Sequence, residues 1–475
     1  MTRRATDLLF ALLLGLALFG FSLTSPNIAG GDDAYRHVRF ANRLITDTRA
    51  ALADPWHLQY LWPKPVDVWF GYHLLLAPFT LFLPLILAAK VVGTLVWTAT
   101  VFALTRLLDS LGVVWRHAWV ALAIAGSGVV LYRATLMRPF LLSLLLLILA
   151  VRYTLEEKPW KLALVSALHA CSYSIFFLPA MPVGLYLLVR RNRQSMVLCL
   201  ACGAGLAIGV MVNPFFPENL WFALAVAYTR LGPDLARLLK VGGEVLPLSP
   251  WWLVASLPTL IVWIASIVVL ARRRRAVPAE WVLLGLSLFC FAVSLRAARM
   301  FDYFSLFAVL LAAVVLAPSI GGNRERWKFG FSALLVLSAA SLIPSLQTVR
   351  SAPSVDRYRG AAEFLARQPG DVVVWNTQWQ QFPFLYFWNW KSHYLTGLDP
   401  TLFYNADADR YWQWRKLGDD AVTDPSTLAG IATEFGTTHI LVDQQLTPKL
   451  ADQLRAQPQF AEVFQSDGLK VFALR

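Results

Sequence analysis

Charge is scarce in this chain. Asp, Glu, Lys and Arg make up 15% of its 475 residues, and hydrophobic residues 57%. Soluble domains carry about 25% charged and about 45–50% apolar residues. One larger core cannot absorb that excess, because cores stop growing near ~250–300 residues. The excess needs a second apolar solvent, which is lipid. Cysteine is nearly absent. Cys171, Cys199, Cys202 and Cys290 all lie in apolar runs, which excludes a disulfide framework. Cys199 and Cys202 have the spacing of a metal or redox pair, but no second pair and no His accompany them, so they read as helix packing. Acids are outnumbered, 29 against 42 bases, for a net charge of +13. The bases cluster in short loops between apolar runs, the positive-inside pattern, so nucleic acid is not expected as a partner. Neither internal repeats nor low-complexity segments occur.

What is present is a series of hydrophobic runs. The run 8–23 follows Arg3 and Arg4 and is expected to be an uncleaved first span with a cytoplasmic N-terminus. Residues 24–67 form a long outer loop. Further spans are expected near 86–107, 118–134, 139–152, 161–174, 177–190, 195–213, 251–271, 279–296, 298–318 and 328–346, about eleven in all. The run 68–84 suits an interfacial or re-entrant helix. The fold expected is an α-helical polytopic membrane domain over 1–349, followed by an outer (periplasmic) α/β domain over 350–475. In that tail 355–368 reads as an amphipathic helix. Asp371–Trp375, His439–Asp443 and Lys470–Leu474 read as strands, and 426–435 and 447–457 as helices.

Four constellations can carry chemistry. The first is Asp32, Asp33, Tyr35, Arg36, His37 and Arg39, just outside the first span. At helical spacing Asp33 and His37 share a face, as do Asp32 and Arg36. Carboxylates there can act as a general base or hold a metal; the plainer reading is an N-cap and a solvated helix. The second is the aromatic and proline cluster from Asp54 to Pro65, with Trp62 and Lys64, which forms either an interfacial belt or a site wall. The third is Arg133 and Arg138 in a short outer turn, against the positive-inside trend. They suit either a phosphate group or snorkelling to headgroups. The fourth is Arg296, Arg299 and Asp302 in a hairpin between apolar runs. Arg299 pairs with Asp302 or clamps a phosphate with Arg296. His169, near Tyr173, reads first as a packing residue.

The Asp32-Asp33-Ala34-Tyr35-Arg36-His37-Val38-Arg39 segment resembles the first-loop motif of GT-C membrane glycosyltransferases, especially the oligosaccharyltransferase catalytic subunit and its bacterial relatives. In that motif an Asp precedes an Arg by six positions, which selects Asp33 against Arg39. Trp62-Pro63-Lys64-Pro65 resembles the turn that follows, and Arg299 the arginine that contacts donor phosphate. Two departures stand out. The family's second outer loop carries an acidic pair where this chain has Arg133 and Arg138. Trp375-Asn376-Thr377-Gln378-Trp379 replaces the Trp-Trp-Asp-Tyr-Gly stretch that reads an N-glycosylation sequon.

The resemblance implies an enzyme of a bacterial inner membrane that moves a sugar from a polyprenyl-phosphate-linked donor to a protein, glycan or lipid acceptor on the periplasmic face. Asp33 would act as base, with Asp32 and His37 beside it. Arg299, Arg296, Arg138 and Arg133 would hold donor phosphate. Tyr35, Trp62, Lys64 and His169 are candidates for the site wall. No cofactor is expected, and the missing acidic pair argues against magnesium or manganese. The alternatives are a lipid-linked sugar flippase and a non-catalytic scaffold of glycan assembly. The absent internal repeat disfavours the first.

Overall fold

The computed structural model describes residues 2–28, 33–61, 64–231, 238–239, 241–273, 276–320, 324–351, 353–419 and 426–475. Asp32 and Trp62 lie outside the described residues. Among the described helices, four are long and apolar enough to cross a membrane: Arg3–Ser22, Leu85–Ser110, Arg193–Val212 and Ala298–Ser319. A fifth arises if Arg116–Ala125 and Gly128–Thr135 count as one span bent by 78°. Other expected spans coincide with shorter apolar helices, such as Phe140–Leu155, Leu257–Arg272 and Pro278–Ser294. Lipid-facing character shows on the first helix. Leu12, Leu13 and Leu16 are exposed while the smaller Ala11 and Gly15 turn inward. In water such a face would be costly, at about 25 cal/mol per Å² of apolar surface.

Small residues set the closest helix packing. A Cβ on Gly205 or Gly209 would come within 2.2 or 2.1 Å of the carbonyl oxygens of Ala163 and Ala167. This is small-residue packing at four-residue spacing. Cys202 lies on the same helix and its sulfur accepts from Ser166 Oγ at 3.4 Å, the packing role expected for it.

The tail holds a five-stranded sheet. Its strands are β1 (Val373–Asn376), β2 (His393–Tyr394), β3 (His439–Asp443), β4 (Phe460–Ser466) and β5 (Leu469–Leu474), in the order β2-β1-β3-β5-β4. β1 runs parallel to β2 and β3, and β5 antiparallel to β3 and β4. Three strands fall where short apolar runs predict them. β4 escaped that reading because its burial alternates without a continuous apolar run.

The open edge at β2 is closed by the first loop. His57 O accepts from Tyr394 N at 2.8 Å, and Gln59 N donates to Tyr394 O at 2.9 Å. This pairing satisfies backbone groups that an open edge leaves exposed. The helix Asp33–Thr46 adds a second contact through residues four apart. Tyr35 packs on Phe384 and Phe387, Arg39 Nε donates to Phe387 O at 2.6 Å, and Arg43 Nη1 donates to Tyr386 Oη at 2.7 Å. A bilayer cannot separate surfaces in contact, so loop and tail share one side.

Candidate functional site

A cavity of about 370 Å³ lies where the first loop, the membrane helices and the tail meet. Four arginines border it, Arg36, Arg133, Arg138 and Arg299, against three carboxylates, Asp33, Glu244 and Asp399. His37, Trp69, Tyr173, Trp252 and Trp379 add an aromatic wall.

Each charged group is delivered by a local device. Asp33 opens the helix Asp33–Thr46, where a carboxylate suits the free N–H groups and positive end of the dipole. Its Oδ1 accepts from Arg36 Nε at 2.9 Å, and its Oδ2 lies 3.4 Å from Arg138 Nη1. Burial raises its pKa, but Arg36 and Arg138 more than offset this and hold it below the ordinary carboxylate range. Arg133 sits past the 78° bend, which turns it from the direction of the preceding helix. It pairs with Asp302 at 2.8 Å and with Glu244. The turn that follows is tied to the helix Phe70–Leu76 by Tyr72, whose hydroxyl donates to Met137 O at 2.8 Å.

Glu244 was not singled out by the sequence. Its signal is thin: one acid after Gly242 and Gly243 in an outer loop. The fold gives it a central place. Arg299 N donates to Glu244 O at 2.8 Å, and Ala298 N to Leu246 O at 2.9 Å, so the loop lies along the hairpin. Its carboxylate then meets Arg299 and Arg133, with Arg138 at 3.7 Å. Burial opposes its ionisation, yet Arg133, Arg299 and Arg138 hold its pKa well below the usual glutamate value. Three arginines gathered on one flexible-chain carboxylate make a pocket suited to an anion.

The remaining candidates are placed as follows. Asp33, His37, Arg133, Arg138 and Arg299 come together around the cavity. Arg296 is exposed on the far side of its turn and does not border it. Tyr35 is buried against the tail, where its hydroxyl accepts from Ile28 N at 3.0 Å, so it is a packing residue rather than wall. Lys64 is exposed and pairs with Glu218 at 2.8 Å. His169 is buried and bonds Ser143 Oγ at 2.9 Å, which in turn bonds Tyr303. Asp302 pairs with Arg133 rather than Arg299, and Arg39 faces the tail rather than Asp33. Trp379, from the stretch that replaces the sequon-reading motif, joins the wall, as do Trp69 and Asp399 from positions that no local pattern marks.

Among the described residues, the cavity offers few free oxygens to a divalent ion. Asp33 and Glu244 are each engaged by arginines, and hard cations need several free oxygens. Among the described residues one trio has ligand atoms close together, Asp54, His57 and His393, at the seam between loop and tail. There Arg43 Nη2 already lies 2.9 Å from His57 Nε2.

No known family model and no curated protein matches the chain. Solved structures do. The oligosaccharyltransferase of Archaeoglobus fulgidus in its apo form is 13% identical, with a TM-score of 0.64 over 93% of this chain and 70% of its own. The same organism's AglB, solved with an inhibitory peptide and a dolichol-phosphate, is 11% identical with a TM-score of 0.66 over 94% and 70%. ArnT from Cupriavidus metallidurans is 13% identical with a TM-score of 0.50 over 99% and 98%. These are GT-C glycosyltransferases, and the chain shares their fold.

Proposed function

We propose that the chain is a membrane glycosyltransferase that moves a sugar from a polyprenyl-phosphate-linked donor to an acceptor on the outer, periplasmic face of a bacterial inner membrane. One observation carries the reading: an arginine-rich cavity that places Asp33 and His37 opposite Arg133, Arg138 and Arg299 at the junction of membrane helices and tail. Guanidinium groups in such a site stabilise the charge that develops on a departing phosphate. Phe140, Phe222, Val226 and Trp252 supply an apolar flank for the prenyl chain. The peptide and dolichol-phosphate held by the archaeal neighbour belong to the same two ligand classes. Asp33 faces the acceptor and orients its reacting hydroxyl or amine, or takes its proton. Trp379, Leu398, Asp399 and Leu402 of the tail close the acceptor side.

The test is transfer of radiolabelled sugar from a polyprenyl-phosphate donor in proteoliposomes carrying candidate acceptors. Labelled acceptor supports the reading. Donor movement across the bilayer without product points to a flippase, and neither result points to a scaffold.

A further inference from the structure

Behind the cavity wall lies a chain of three buried side chains that the proposed reaction has not used. His73 Nδ1 lies 2.7 Å from Asp67 Oδ2, and His73 Nε2 lies 2.7 Å from His37 Nδ1. Asp67 and His73 have fully buried side chains, and His37 is 2% exposed. Only His37 borders the cavity. Resting on the transferase reading, we infer that His37 receives the acceptor's proton and that Asp67, acting through His73, fixes His37 as a base.

The inference follows from donor and acceptor accounting. An ionised carboxylate only accepts hydrogen bonds. Asp67 Oδ1 is taken by the backbone N–H of Trp69 at 2.9 Å, which leaves Oδ2 for His73. His73 therefore carries its proton on Nδ1. In the tautomer that donates from Nδ1 to Asp67, His73 accepts at Nε2, so His37 donates from Nδ1. The nitrogen of His37 left for a ligand is Nε2, and it bears a lone pair. The orientation is the one a base needs, set by a carboxylate two hydrogen bonds away.

The environment keeps this base ready. Burial, Arg36, His73 and Arg138 hold the His37 imidazole well below its ordinary range, so it is neutral at pH 7. Its ring is walled by Trp69 and Tyr72 at 5.3 and 5.7 Å between centroids, with Trp56 behind them. Asp33 precedes it by one helical turn and is pinned by Arg36 and Arg138, which suits Asp33 to orientation rather than to proton uptake. In the transfer step, the acceptor's O–H or N–H proton passes to His37 Nε2. The freed electron pair forms the bond to the anomeric carbon. The bond from that carbon to phosphate oxygen breaks, and its electron pair leaves on the phosphate. The positive charge gained by the two imidazoles lies against Asp67, and the incoming donor's negative charge offsets Arg138.

Asp67→Asn tests the chain with almost no change of shape. Trp69 N–H needs an oxygen, so the new amide keeps its carbonyl there and turns its NH2 toward His73 Nδ1. Every donor in the chain then reverses, and His37 Nε2 gains a proton. Catalysis should fall by roughly 10²–10⁴-fold in kcat, with donor KM little changed. His37→Gln should fall by a similar factor. Nitrogen-15 histidine spectra of the purified full chain report the proton's position directly, without substrate. An unprotonated Nε2 on His37 in the native protein, protonated in Asp67→Asn, is the expected result. A protonated Nε2 in the native protein overturns the inference, as does near-native kcat in Asp67→Asn with the spectrum reversed. If the native protein transfers no sugar at all, the transferase reading fails instead, and the spectra still decide the orientation of the chain.

Discussion

Asp33 and Arg138 meet at 3.4 Å, joining the start of the first outer helix to a turn more than a hundred residues along the chain. The residue proposed to orient the acceptor and one proposed to hold donor phosphate thus belong to one charged network. Substituting either reaches the other.

Asp33→Asn should abolish transfer while leaving the protein folded. The loss expected for a positioned proton-transfer or orienting group is about 10²–10⁴-fold. The substitution keeps shape and removes only the charge that meets Arg36 and Arg138. Initial rates and melting curves on the same preparation check it. Native activity would take Asp33 out of the mechanism.

Glu244→Gln should lower the melting temperature, because it withdraws the carboxylate that Arg133 and Arg299 share. The pairs are only partly buried, so the cost should stay below the ~3–5 kcal/mol of a fully buried pair. Millimolar inorganic phosphate should restore part of the loss by occupying the same arginines. A melt that ignores both the substitution and the phosphate would mean that the arginines do not form an anion site.

Arg299→Ala should impair transfer through both donor KM and kcat. Its guanidinium faces the cavity and contacts Glu244, so it serves the bound phosphate and the departing one. Arg296→Ala should change neither by more than a small factor, since that side chain lies away from the cavity. Equal effects of the two substitutions would argue against the placement of donor phosphate.

The pH profile should lack the usual histidine limb near 6.5. His37 is active when neutral, and its pKa lies well below the ordinary value because of burial, Arg36, His73 and Arg138. Activity is therefore kept through neutrality and lost as pH falls into the acid range, where the imidazole protonates. A profile of kcat/KM between pH 4 and 8 (a range chosen to bracket ~6.5) shows the difference. Half-loss at or above 6.5 would contradict it.

Chelation with EDTA should leave most of the activity in place. Two of the cavity's three acids, Asp33 and Glu244, are engaged by arginines, which supply the positive charge a metal would otherwise bring. Complete loss, with recovery on adding manganese or magnesium, would refute this.

Hydropathy made part of the architecture legible. The expected spans at 8–23, 86–107 and 195–213 match helices Arg3–Ser22, Leu85–Ser110 and Arg193–Val212. A run of apolar residues keeps its meaning whatever surrounds it, since it must avoid water. Strand β3 and helix Asp33–Thr46 were legible for a similar local reason: each shows its period within a few residues. Arg133, Arg138 and Arg299 stood out because charge beside apolar runs is costly wherever the chain goes.

Beyond neighbours on one helix, such as Asp33 and Arg36, local windows do not tell which charges meet. Asp302 lies three residues from Arg299 yet pairs with Arg133, because the 78° bend at the preceding span brings Arg133 to it. Glu244 looked like one more loop acid until the loop lay along the hairpin at 298–299. Tyr35 stands beside Asp33 and Arg36 in sequence, but the helix turns it toward the tail. The direction of the Asp67–His73–His37 chain depends on which oxygen the Trp69 backbone takes. Composition and period depend on neighbours along the chain, so sequence sufficed for the apolar, helical character and for several of the charged candidates. Ion pairing and proton placement depend on distances of about 3 Å between residues remote in sequence, and only folding sets those.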